Sequence, residues 1–386
     1  VGDGGLNAQD LVDGAITATG LDDFGAGSWR EGLERLVEAL NGEARLNDLG
    51  HAAFTERIGG SLRGRLQVVD WRSSHPEVAD EVVGGPVIIV GLPRTGTTAL
   101  SNLLAQDPDT RSLRVWESAS PIPPPQPTGE DERIALVQAG LDMFHELVPA
   151  VRPLHDDTAT STAEGIDLLG MSFAAYHVDG MARVPSYVDW LLDQPLTEAY
   201  AFHHDVLQVL QSRCPPTRWH LKNPGDLFWL DTIVATYPDV RFVWTHRDPA
   251  AVLPSVCDLV AIVTGMCTDE LDPLALGREQ VDFYARAVER GLALRDQLGE
   301  ERFVDLQVAD LVADPVAAVG ALYEGVGWTF TDAAERGIAG WWADNPPAKH
   351  GEHHPDPARY GLVADEVRER FGPYLDRFAI GGGRLT

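Results

Sequence analysis

The chain has 386 residues, 44% hydrophobic and 23% charged, which is the make-up of a globular protein with an ample core. Its formal net charge is −29, from 59 acidic against 30 basic side chains. So acidic a surface argues against nonspecific attraction to nucleic acid or anionic membranes, and an anionic ligand must be met by clustered Arg and Lys.

At the N-terminus no basic region precedes an apolar stretch, so no signal peptide is expected. Residues 1–80 read as a mostly helical segment packed on the core. "SWREGLERLVEALNGEA" opens with Ser28 and has Glu31 three residues on, the pattern of a capping box. Trp29, Leu33, Leu36, Val37 and Leu40 then recur at helical spacing. A second helix is expected through "FTERIGGSLRGRLQVVDW". These apolar faces allow packing, a lid or a homodimer contact.

At "GGPVIIVGL" the pattern changes to a short, fully apolar, β-branched run, Val87 to Val90, as in a buried parallel strand. "RWHLK" (Arg218–Lys222), "VRFVWTHR" (Val240–Arg247) and "RFVDLQ" near Arg302 read as further strands. Strands alternating with helices predict an α/β fold whose central parallel sheet is covered on both faces, spanning residues 81–386. "ASPIPPPQPTGEDE" is a proline-rich loop, and residues 344–361 form a long polar loop suited to cover a site. Cys214, Cys257 and Cys267, an odd and scattered set, read as reduced thiols of a cytoplasmic protein. No apolar run approaches the ~20 residues needed to cross a bilayer, so no integral membrane segment is expected.

The first strand runs into "GLPRTGTT". Gly91, Gly96 and Thr98 match the spacing of a triphosphate-binding loop, but Thr97 stands where that loop has lysine, and Arg94 is added. Strand, glycine turn and helix N-terminus together make an anion site. The backbone N–H groups of residues 94–98 and the hydroxyls of Thr95, Thr97 and Thr98 are expected donors, with Arg94 supplying charge. Downstream, "THRDPAAVLPS" places Arg247 at a strand end and Ser255 two helical turns on, a pair able to grip a second, distant phosphate.

The two elements as a pair resemble the 5′-phosphosulfate loop and 3′-phosphate element of the sulfotransferase superfamily, closest to its bacterial, actinobacterial-type branch. "LDDFGAGSWREGLERLVEAL", "VPSYVDWLLDQ", "WHLKNPGDLFWLD" and "YGLVADEVRERFGPYLDRF" extend the likeness over almost the whole chain. The resemblance implies a P-loop-type three-layer fold and 3′-phosphoadenosine-5′-phosphosulfate (PAPS) as donor. It implies transfer of a sulfuryl group to a hydroxyl or amine of a small-molecule or lipid acceptor, with no metal required.

Lys222, at a strand end, is the expected second cation at the transferring group. Relatives tend to carry a histidine shortly after this lysine, whereas here "KNPGD" puts Asp226 there, a candidate base or a cap for the helix "LFWLDTI". Glu164 is the other candidate base, since some bacterial relatives use a glutamate, although Ser161-Thr162-Ala163-Glu164 also fits a capping box. His220 shares the face of Lys222 and reads as a buried, satisfied histidine. Lys349 in "AKHGEHH" is expected to reach over the nucleotide, and the cluster His350, His353 and His354 reads as loop chemistry in preference to a metal site. Two other readings stay open: a P-loop nucleotide kinase, which needs a magnesium-binding carboxylate, and a noncatalytic nucleotide-binding protein.

Overall fold

The computed structural model describes residues 5–126, 131–154, 157–214, 218–346 and 353–381. Five parallel strands form one sheet: β1 (Val87–Gly91), β2 (Thr110–Arg111), β3 (Arg218–Lys222), β4 (Arg241–His246) and β5 (Phe303–Gln307). Their order is β2-β3-β1-β4-β5, with β1 in the centre. Four of them are the runs the sequence predicts. The two residues of β2 are too few to carry a periodic signal.

Each strand alternates its side chains between two faces, and β1 shows what this builds. Val87 and Ile89 join Val243, Leu100, Leu103, Leu322, Tyr323 and Ile338 in one apolar core. Ile88 and Val90 point the other way, into a larger core with Phe242, Trp244, Leu207 and Val288. Helices cover both faces, giving three layers. The first core lies beneath α4 (Thr97–Leu104) and the helices Pro315–Val326 and Asp332–Asp344.

The N-terminal helices α1 (Ala8–Thr19), α2 (Trp29–Gly42) and α3 (Asp48–Ser74) belong to the larger core, where Leu33, Leu36, Leu40, Phe54, Ile58, Leu62 and Leu66 are buried. Ser28 stands at the N-cap of α2 with no side-chain cap bond, so the expected capping box does not form. Its backbone, at φ −80° and ψ 12°, lies outside the extended region a cap hydroxyl needs to reach back. Glu31 pairs along the helix with Arg35 at 3.8 Å instead.

One expectation needs amending. The helix Pro249–Cys267 is long and apolar enough, by length and composition, to cross a bilayer. Val252, Leu253, Val256 and Ala261 are buried in the protein, as are Ser255 and Asp258.

Candidate active site

The carboxyl ends of the three central strands, β3, β1 and β4, lie side by side, and each delivers one part of the site. The register pairs Ile89 with Lys222 and Gly91 with Thr245, so the strands end within a few residues of one another. In open parallel sheets this edge, beside the strand where connections diverge to either side, is where ligands collect.

From β1 the chain enters the loop "LPRTG" and then α4. Gly91 has φ 137°, and a Cβ there would stand 2.7 Å from the Thr245 carbonyl, so only glycine lets β1 leave the sheet so close to β4. Arg94 at φ 65° and Gly96 at φ 77° flank Thr95 with left-handed backbone. This alternation turns successive N–H groups toward one concavity, at the positive end of α4. The Arg94 guanidinium donates to the Leu154 carbonyl at 2.5 Å, and its Nε has no hydrogen-bond partner among the described residues. Burial, and then the neighbouring charge of Arg247, press its pKa downward. A half-buried, partly unpartnered cation at the mouth of a nest of N–H groups fits a phosphate or sulfate ester.

The threonines divide their work. Thr95, expected to offer its hydroxyl to the anion, is fully buried. Its Oγ1 donates to the Leu92 carbonyl at 2.5 Å and lies 2.7 Å from Thr245 Oγ1. That expectation is corrected: the hydroxyl stitches the loop to β4, and only the Thr95 backbone N–H remains for a ligand. Thr98 sits on the first turn of α4, and its Oγ1 accepts from Lys222 Nζ at 3.1 Å. Thr97 is buried beside it.

Lys222 leaves β3 with 2% of its side chain exposed, and its ammonium lies 3.1 Å from Glu164 Oε1. The backbones are joined as well, through Gly165 N–H to the Lys222 carbonyl at 2.8 Å. The predicted capping box at Ser161–Glu164 is absent. Val115 N–H donates to the Ser161 carbonyl and Ala163 N–H to the Leu113 carbonyl, so this stretch runs extended beside residues 113–115. The helix Ile166–Gly170 starts only after Gly165. Glu164, 31% exposed, is left to face Lys222.

Asp226 behaves differently. It is 4% exposed and lies in a short turn of 3-10 helix, Pro224–Phe228. Its Oδ1 accepts from Tyr200 Oη at 2.6 Å and from Asn223 Nδ2 at 2.5 Å. It caps no helix: Asn223 caps its own turn, and the helix Leu230–Thr236 begins after Trp229 without a side-chain cap. Burial outweighs these two bonds and raises its pKa to about 7. His220 is buried, with Nε2 3.0 Å from the Ser101 carbonyl, and burial lowers its pKa to about 3, so it stays neutral.

From β4, Arg247 emerges exposed, and its guanidinium donates to the Arg94 carbonyl at 3.2 Å, bridging the two halves of the site. Asp248 caps the helix Pro249–Cys267 through Ala250 N–H at 2.9 Å. Ser255 lies two turns along and is 8% exposed. Lys349 and His350 lie outside the described residues. His353 is bonded to Asp258 at 2.9 Å, and no group of three or more His, Cys, Asp or Glu among the described residues is arranged to hold a metal.

The family model described as "Sulfotransferase family" matches residues 86–332, from the start of β1 through β5 and beyond, and takes in the phosphate loop, Glu164, Lys222, Arg247 and Ser255. The chain belongs to the sulfotransferase family. Among solved structures it resembles sulfotransferase STF1 of Mycobacterium tuberculosis H37Rv, with 33% identity and a TM-score of 0.86 over 95% of this chain and 99% of that one. It also resembles STF9 of Mycobacterium avium, with 30% identity and a TM-score of 0.90 over 98% of both chains. A sulfotransferase described as omega-hydroxy-beta-dihydromenaquinone-9 sulfotransferase Stf3, from Mycobacterium bovis and Mycobacterium tuberculosis, is 24% identical over 322 residues, 78% of this chain and 77% of its own.

Sequence reasoning missed Asp167. It follows Glu164 by three residues, interacts electrostatically with Arg57, Glu164 and Lys222, and has its pKa raised to about 6 by burial. Nothing in its local pattern sets it apart from an ordinary helix aspartate.

Proposed function

We propose that this sulfotransferase moves a sulfuryl group from PAPS to a hydroxyl of an apolar, lipid-like acceptor. The convergence of the Arg94–Thr98 loop, the Lys222–Glu164 pair and Arg247 at the ends of three adjacent strands carries this reading. When bound, the donor supplies a sulfur–oxygen bond whose leaving atom is a phosphate oxygen. The loop N–H groups, Arg94 and Thr98 would hold the 5′-phosphosulfate end, and Arg247 with Ser255 the 3′-phosphate. Glu164 would accept the acceptor's hydroxyl proton as that oxygen forms its bond to sulfur. The sulfur–oxygen bond to the 5′-phosphate then breaks, its electron pair stays on the phosphate, and Lys222 offsets the charge that develops there. The three cations give this scheme its positive charge without magnesium.

Glu164 is favoured over Asp226 as the base. Its carboxylate meets the catalytic cation and is partly exposed, whereas Asp226 is buried among Tyr200 and Asn223. The acceptor class is suggested by the compound that names the Stf3 relative. Aromatic rings near Glu164 support it: Tyr176 and Tyr284 both feel its charge, and Phe283 lies against each of them. Cys214, Cys257 and Cys267 are free thiols, which suits a reducing, cytoplasmic setting.

Incubation of the protein with PAPS labelled in its sulfur and a panel of hydroxylated isoprenoid lipids tests the reading. Label should pass to a lipid hydroxyl. Retention of all label on the nucleotide, with every hydroxyl and amine acceptor offered, would overturn it.

A further inference from the structure

His246, the residue directly before Arg247, is held by a chain of hydrogen bonds that reaches it from the far end of the sequence. This histidine is 1% exposed. Its Nε2 lies 2.8 Å from Asp305 Oδ1 on β5, and its Nδ1 lies 3.1 Å from Tyr374 Oη on the helix Gly372–Arg377. Phe378 stacks on the imidazole with ring centres 3.9 Å apart.

Arg295 donates to both Asp305 oxygens, at 2.7 and 2.8 Å. Burial alone would raise the Asp305 pKa, but the bonds from Arg295 and His246 win and hold it well below the usual carboxylate range. An ionised carboxylate only accepts, so His246 Nε2 carries the proton. Burial also lowers the His246 pKa, which leaves Nδ1 of the neutral ring as an acceptor. The Tyr374 hydroxyl therefore donates to Nδ1. The order runs from Tyr374 through His246 to Asp305. On the other flank of Arg247, Arg368 holds Asp248 at 2.9 Å.

We propose that Tyr374 is a positioning residue for the donor's 3′-phosphate: it holds His246, and with it the adjoining backbone of Arg247, so that the Arg247 guanidinium faces that group. This rests on the sulfotransferase reading above. Burial of an aromatic ring explains why residue 374 is apolar in bulk. It does not explain a hydroxyl bonded to the imidazole directly before the phosphate arginine.

Tyr374→Phe keeps the ring and removes the bond to His246. The dissociation constants of adenosine 3′,5′-bisphosphate and adenosine 5′-phosphate would be measured by calorimetry for both proteins. The variant should bind the bisphosphate about tenfold more weakly, the worth of roughly one buried hydrogen bond, and bind the 5′-phosphate as before. A lowered Tm with an unchanged ratio of the two constants would mean a structural role only and would overturn the proposal. Failure of the unaltered protein to prefer the bisphosphate would overturn the functional reading, and this one with it. Should the Tyr374→Phe variant not fold, His246→Phe serves in the same titrations. Its ring gives Tyr374 no acceptor while Asp305 keeps Arg295, so the same loss is expected and an unchanged ratio is equally decisive.

Discussion

At the scale of single residues, a buried lysine is expensive unless a carboxylate meets it, and Glu164 meets Lys222 at 3.1 Å. In the proposed reaction this pair has two tasks, and substitution separates them. Glu164→Gln should lower kcat by about 10²–10⁴-fold, the usual worth of a positioned base, and leave bisphosphate affinity unchanged. Lys222→Ala should lower kcat by about 10²–10³-fold through loss of charge at the leaving oxygen. Steady-state kinetics paired with calorimetry checks both, and a Glu164→Gln enzyme of full activity would remove Glu164 from the base role. Asp226 makes a different prediction. Its folded pKa of about 7 lies above the ordinary value of 3.8, so between them the folded chain binds more protons than the unfolded chain. Stability should therefore fall as pH rises through that window. Urea midpoints measured across it should show the decline in the natural protein and a flatter profile in Asp226→Asn. Of these residues the sequence identified every type and position, yet it left Glu164 and Asp226 with equal claims. Whether Glu164 serves as a cap or faces Lys222 depends on residues 161–163 lying beside residues 113–115, a long-range pairing that no local pattern encodes.

At the scale of elements, the phosphate loop owes its shape to a division between inward and outward hydroxyls. Thr95 fastens the loop to β4 through Thr245, while Thr98 faces Lys222. Thr95→Val should cost about 1–2 kcal/mol of stability, as a buried hydrogen-bonded hydroxyl does, and show chiefly in Tm. Thr98→Ala should leave Tm almost unchanged and reduce turnover. The reverse pattern in calorimetry and kinetics would contradict the assignment. The strands were easy to read because short, wholly apolar runs have no other stable home than a doubly covered sheet. The end of the loop was legible from Gly91 and Gly96, but the inward turn of Thr95 was not. It depends on Thr245, a neighbour 150 residues away in sequence. The His246–Tyr374 contact spans 128 residues and was hidden for the same reason.

At the scale of the whole molecule, a chain of net charge −29 gathers Arg94, Lys222 and Arg247 at the carboxyl ends of its central strands. The general field repels an anionic donor, so affinity must come from short-range, partly desolvated contacts at both ends of it. Residues 1–80 share the larger core with the sheet, and we regard them as a layer of the same folding unit. Family membership and the three-layer architecture were legible from two motifs and the strand pattern. The joining of the two motifs, through Arg247 to the Arg94 carbonyl, appears only in three dimensions. The central claim is that this is a two-part site for a nucleotide with separate 5′ and 3′ anionic ends. Its most direct test is titration with adenosine 3′,5′-bisphosphate in the presence of a metal chelator, set against ATP with magnesium. Tight, metal-independent binding of the bisphosphate and weak binding of magnesium–ATP are expected. Tight magnesium–ATP binding with none of the bisphosphate would contradict it.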